Sequence, residues 1–159
     1  MSILTVKDFR SEKELPVWGL DFETFYEIGK KGKYSLGNPQ LKTLGYVRDE
    51  RFKAHGVAVS EPDGFSYWVT HKDLPAFFAS VDWTEVATLS HNAYFDGLIA
   101  REHYNVLPAL FLDTLSMSLG EWGPGLRHNQ DSLSLRLGTT PKIKETLAKT
   151  AGIRDLPAK

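Results

Sequence analysis

The chain is predicted to fold as an α/β domain on a single mixed sheet, and three features of its order carry that expectation. Short apolar–polar alternations open the sequence, two of them flanking a tight turn. Strand-like and helix-like segments then alternate, and turn residues punctuate them at short intervals.

A polar leader over residues 7 to 15 precedes Val17-Trp18-Gly19-Leu20-Asp21-Phe22-Glu23, which alternates as a strand does. Residues 29 to 40 carry Gly, Asn and Pro and read as an exposed loop. His55 to Ser60 and Phe65 to Val69 are two β runs flanking Pro62-Asp63-Gly64, a good hairpin turn. Lys72 to Ser80 reads as a short helix with Leu74, Phe77 and Phe78 on one side, and Val86 to Ser90 as a fourth strand. Asn92 to Tyr104 is the clearest helix, with Phe95, Leu98 and Ile99 at core spacing. Leu110 to Leu112 is a fifth strand leading into a helix from Thr114 to about Leu119. Glu121 to Asp131 reads as a Gly-rich polar loop, and Ser132 to Leu137 and Ile143 to Thr150 as two short helices split by Gly138 and Pro141. The first three strands are expected to form an antiparallel meander, with the later two parallel to the first and helices packed on the sheet.

Composition narrows the function classes. A chain of 159 residues is one domain by size and can bury a real core. The absence of cysteine excludes disulfides and thiolate metal sites, which fits a cytoplasmic location. No apolar run approaches the roughly 20 residues that span a bilayer, and the start lacks a signal-peptide core, so no membrane partner is expected. A net charge of −1 means that any polyanion must be met by a local basic patch.

Asp21 and Glu23 stand two apart on an otherwise apolar strand, so both carboxylates share one face while Trp18, Leu20 and Phe22 take the other. Acids held this close repel each other unless a cation lies between them, and hard oxygen donors suit Mg²⁺ or Mn²⁺. The plain alternative is a sheet edge with both acids in water. A second constellation, Asn92-Ala93-Tyr94-Phe95-Asp96, marks the start of the clearest helix. There Asn92 can cap the helix and Asp96 lies one turn on, on the same face as Asn92, with Phe95 and Ile99 packing inward. The alternative is a simple cap followed by a first-turn acid that suits the helix dipole. Lys30, Lys31 and Lys33, with Tyr34 nearby, form a basic loop beside the first motif, suited to phosphate contacts or simply solvated.

In order, these motifs resemble the first two exonuclease motifs of DEDD-type 3′–5′ exonucleases, and more closely those of family A, phage-like DNA polymerases. The similarity runs through Gly19-Leu20-Asp21-Phe22-Glu23-Thr24, Tyr34-Ser35-Leu36, Gly56-Val57-Ala58-Val59 and Leu112-Asp113-Thr114-Leu115-Ser116-Met117. It continues in Ser132-Leu133-Ser134-Leu135-Arg136-Leu137-Gly138 and covers roughly residues 16 to 140. The resemblance implies a ribonuclease H-like fold and two-metal hydrolysis of DNA 3′ ends, with Asp21, Glu23 and Asp96 as catalytic metal ligands. It further implies that Thr24 and Asn92 contact the terminal nucleotide, that Phe25 or Phe95 offers it an apolar wall, and that the partner is a DNA polymerase domain or subunit. Asp113 reads as structural, an Asp-Thr helix start that the family does not use as a ligand.

That family carries a third motif, a Tyr or His followed four or five residues later by a fourth metal-binding Asp. After Asp131 this sequence has one further Asp, Asp155, with no Tyr or His at that offset, and its last His is His128. Asp155 reads as a loop acid. On this reading residues 1 to 159 are a single exonuclease-like domain, incomplete at its C-terminal end and weak or inactive without the missing motif. The alternatives are a non-catalytic nucleic-acid-binding or polymerase-scaffolding module with an exonuclease fold, and a standalone nuclease completed by another chain.

Overall fold

The structure, a computed structural model, describes residues 3–27, 34–140 and 152–155. Among the described residues the elements run β1 (Thr5–Lys7), β2 (Glu14–Thr24), α1 (Lys42–Arg48), β3 (Ala54–Ser60), β4 (Ser66–Thr70) and α2 (Leu74–Ser80). A single 3₁₀ turn at Trp83–Glu85 leads to β5 (Ala87–Ser90), α3 (Ala93–Tyr104), β6 (Leu110–Asp113), α4 (Thr114–Trp122) and α5 (Gln130–Leu137). The strands form one mixed sheet in the order β4-β3-β2-β5-β6, with β1 pairing the first residues of β2. The meander β2-β3-β4 is antiparallel, whereas β5 and β6 run parallel to β2, as expected from the sequence.

The hairpin between β3 and β4 forms where Pro62-Asp63-Gly64 places it. Gly64 adopts φ 92°, a left-handed conformation that glycine takes without a steric penalty, and the Asp63 carboxylate accepts the Phe65 N–H at 2.9 Å. β2 begins earlier than the alternating run indicates, at Glu14, because β1 pairs with it in the register Thr5↔Pro16 to Lys7↔Glu14. The polar leader therefore contains strand structure. α1 is also unexpected from the sequence: seven residues long, with Gly45 inside and Leu41 at its start making no side-chain cap, it carries little local helix signal. Tertiary burial of Tyr46 and Val47, 1% and 0% exposed, secures it instead. The expected helix over Ile143 to Thr150 and the basic loop with Lys30, Lys31 and Lys33 lie outside the described residues.

Each face of the sheet has its own apolar cluster. Leu20, Phe22, Val57 and Val59 pack beneath helices α1 to α3, where Phe22 stacks on Phe78 and Tyr104 with ring centroids 5.7 and 6.2 Å apart. Burial of an aromatic ring of this kind contributes roughly 2–3 kcal/mol. The opposite face carries a smaller cluster of Leu15, Val17 and Ala87, edged by Leu89, Leu110 and Leu112. Alternation along β2 puts Asp21 and Glu23 on this second face. No helix among the described residues is long and apolar enough to cross a membrane.

Candidate active site

The candidate site forms where parallel pairing gives out. β5 pairs with β2 only from Val17↔Ala87 to Gly19↔Leu89, after which β5 turns away at His91 and Asn92. The β2 backbone beyond Gly19 thus needs new partners on that edge. Two side chains supply them: the Ser90 hydroxyl donates to the Leu20 carbonyl at 2.8 Å, and the Asp96 carboxylate accepts the Phe22 N–H at 2.9 Å. Asp96 is 4% exposed, so this bond fixes a buried acid on the edge of β2, level with the residue that separates Asp21 from Glu23. The first turn of α3 and the centre of β2, 74 positions apart in sequence, are joined there.

The start of α3 is held by a residue other than the one the motif points to. Asn92 occupies the left-handed region at φ 69° and ψ 58°, which asparagine tolerates better than most residues, and its side chain makes no capping hydrogen bond. The capping expectation for Asn92 is therefore corrected. Asp113 does the work from the end of β6: one carboxylate oxygen accepts the N–H groups of Asn92, Ala93 and Leu115 at 2.8, 3.2 and 3.1 Å. Its other oxygen accepts the Ser116 hydroxyl at 2.7 Å. Burial pushes the Asp113 pKa up, but these donors together outweigh it and hold the carboxyl below the ordinary range. Asp113 thus ties together the starts of α3 and α4, a helix-start part that its Asp-Thr setting points to. His91 supports the same junction, its Nδ1 lying 3.0 Å from the Thr114 hydroxyl.

The two faces of α3's first turn also differ from the expectation. Asn92 is exposed while Asp96 is buried, so the two do not present a common surface. Phe95 is half-buried and its ring lies 6.2 Å from that of Tyr46. Phe25 is 3% exposed, packed between Tyr34 and His55. The Thr24 hydroxyl sits 2.8 Å from the Tyr46 hydroxyl, which itself donates to the Phe25 carbonyl at 2.6 Å. Burial raises the pKa of Tyr46, keeping it a neutral donor. Tyr46 is the residue that sequence reasoning missed, because the short helix that carries it has little local signal of its own.

Next to Glu23 the β2–β3 register slips: Glu23 pairs with Gly56 but Thr24 with Ala54. A bulge re-aims side chains locally, and here it falls beside a candidate acid. Gly56 is required opposite Glu23, since a Cβ there would lie 2.3 Å from the Trp68 ring and 2.4 Å from the Val69 carbonyl oxygen. Asp21 and Glu23 are half-buried on the sheet face, and Asp96 reaches β2 from its edge. Among the described residues no three His, Cys, Asp or Glu side chains stand close enough together to hold a metal ion as placed. The donor set, three carboxylates and no thiolate or imidazole, nevertheless has the hardness that Mg²⁺ or Mn²⁺ takes.

No protein-family model matches the chain, and no curated protein matches its sequence. Solved structures do. Brucella melitensis NrnC with bound Mg²⁺ superposes with a TM-score of 0.55 at 15% identity, over 82% of this chain and 57% of that one. The same protein bound to pGG gives 0.56 at 17% identity, over 87% and 60%. The Aedes aegypti Nibbler EXO domain gives 0.53 at 12% identity, over 89% and 67%. The chain has a ribonuclease H-like fold. It spans about three fifths of the length of the NrnC chains it matches.

Proposed function

We propose that this chain is a metal-dependent nuclease domain that removes nucleotides from a nucleic-acid 3′ end, with Asp21, Glu23 and Asp96 as its acidic centre. The observation that carries this reading is the bond from the Phe22 N–H to the buried Asp96 carboxylate. A buried carboxylate on the edge of β2, level with the residue between Asp21 and Glu23, is a costly structural choice, because an amide or hydroxyl would satisfy the same N–H without burying a charge. It makes sense if a cation is to be shared. The fold is that of exonucleases, and the NrnC structures carry Mg²⁺ in one case and pGG in another, which supports a divalent ion and an oligonucleotide as ligands.

A divalent ion held by these carboxylates would supply positive charge against a phosphodiester and its attacking water. The protein's own share is positional. Asp96 is fixed by its backbone bond and by burial, and Asp21 and Glu23 by the central strand of the sheet. Thr24, beside Tyr46, and Phe95 flank the end of β2 where a terminal nucleotide would lie, whereas Phe25 shapes this corner from within the core. The motif order further supports DNA as the strand, a polymerase domain as partner, proofreading as the role, and Lys30, Lys31 and Lys33 as phosphate contacts.

The test is shortening of a 5′-labelled single strand, as DNA and as RNA, in Mg²⁺ and in Mn²⁺. Products should shorten from the 3′ end with wild type and not with Asp21→Ala. Shortening that survives Asp21→Ala would assign the activity elsewhere.

A further inference from the structure

Just past the candidate acids, the end of β2 carries charges that the proposed chemistry does not use. Phe25 donates its N–H to the Lys53 carbonyl at 2.8 Å, which sets Lys53 two residues beyond Glu23, roughly 7 Å along the strand. Residues 152 to 155 return to this place from far along the chain. Gly152 donates to the Tyr26 carbonyl at 2.9 Å, the Arg154 guanidinium lies 5.4 Å from the Phe25 ring centroid, and Lys53 forms an ion pair with Asp155.

That pair is unequal. The Lys53 side chain is 17% exposed, whereas the Asp155 side chain is 83% exposed on an irregular segment. The neighbouring cation Arg51 is already committed, bidentate to Asp49 at 2.7 and 2.8 Å. His55 adds no charge, since burial, followed by Lys53 and His71, lowers its pKa. A mostly covered cation met by one solvated carboxylate can exchange that partner for another anion. A strand whose 3′ end lies at the acids and which runs on past the end of β2 would bring a phosphate to Lys53.

We propose that Lys53 is the anion-binding residue of a phosphate subsite at the end of β2, which takes one phosphodiester of a bound strand. Asp155 occupies that subsite until the strand displaces it. The proposal rests on the nucleic-acid part of the function proposed above and adds a residue and a competing contact to it.

The experiment is a double-mutant cycle read by fluorescence anisotropy with a labelled ten-nucleotide single strand, without metal so that nothing is cleaved. Inorganic phosphate serves as competitor, and melting temperatures check folding. Asp155→Asn should bind about two- to fivefold tighter, the range that releasing one exposed ion pair allows. Its plot of log affinity against log salt should steepen by about 0.7, one phosphate contact on a single strand. Lys53→Met should weaken binding and Lys53→Arg restore it, and in the Lys53→Met background Asp155→Asn should have no effect.

An equal gain from Asp155→Asn with or without Lys53 would show only a general charge effect and overturn the proposal, as would no gain at all. No binding of the strand by any variant overturns it too. Asp21-dependent shortening in the same preparations separates the two claims. Shortening with no coupling between Lys53 and Asp155 removes the subsite and leaves the nuclease. Coupling without shortening supports the subsite and removes the nuclease.

Discussion

Replacing Asp113 by alanine should destabilise the protein far more than a surface acid normally does, because one carboxylate serves two helix starts. For α4 the loss is an N-cap, about 1 kcal/mol. For α3 it is the acceptor of the Ala93 N–H, 7% exposed, at about another 1 kcal/mol; the exposed Asn92 N–H can turn to water and adds little. The Ser116 hydroxyl also loses its partner. The sum is about 2–3 kcal/mol, and for a chain of this length about 5–10 °C in melting temperature. Urea unfolding at neutral pH measures it, with an unchanged m-value confirming that the same surface is exposed. Asp113→Asn keeps an acceptor oxygen and should cost about 1 kcal/mol. Because Asp113 stands outside the acidic centre, that variant should also retain 3′ shortening. A loss below about 0.5 kcal/mol for Asp113→Ala would refute the double-cap reasoning. A stable Asp113→Asn protein without activity would place Asp113 in the chemistry.

Other expectations can be checked alongside. Asp96→Asn keeps an acceptor for the Phe22 N–H while removing a buried charge, so its melting temperature should stay within a few degrees of wild type while strand shortening disappears. Gly56→Ala should cost about 1–3 kcal/mol, because its Cβ would meet the Val69 carbonyl, which moves only with the β3–β4 pair; chemical denaturation reads it. The Asp49 carboxyl is held at about 2, first by its hydrogen bonds to Arg51. A depressed folded pKa gives stability that is fully present above about pH 4 and lost as pH falls toward 2. Acid unfolding of Asp49→Asn should therefore be flatter than wild type across that window.

Strand and helix order was legible because the local signals were strong. The Pro62-Asp63-Gly64 turn, the alternation of β2 and the spacing of Phe95, Leu98 and Ile99 agree with the sheet that forms. Asp21 and Glu23 could be placed on one face from a period of two alone. What escaped depends on partners distant in sequence. β1 exists by pairing with β2 and α1 by burying Tyr46, and neither has enough local preference to announce itself. The same holds at the site. Asn92 looks like a cap in the sequence, but its left-handed backbone turns β5 into α3, and the capping oxygen comes from Asp113, 21 positions later. Asp155 reads as a loop acid from its neighbours; its contact with Lys53, 102 positions away, is visible only in three dimensions.

The central claim is that Asp21, Glu23 and Asp96 together hold a divalent cation, and Mn²⁺ binding followed by electron paramagnetic resonance tests it without any substrate. Titrating wild type and the Asp21→Asn, Glu23→Gln and Asp96→Asn variants under identical conditions gives the free-ion signal directly. Expected is saturable quenching of that signal by wild type, weakened at least about tenfold by each substitution, because each removes one anionic ligand from a shared hard-oxygen site. Equal Mn²⁺ binding by wild type and all three variants, or none by wild type, would contradict a metal centre at these residues.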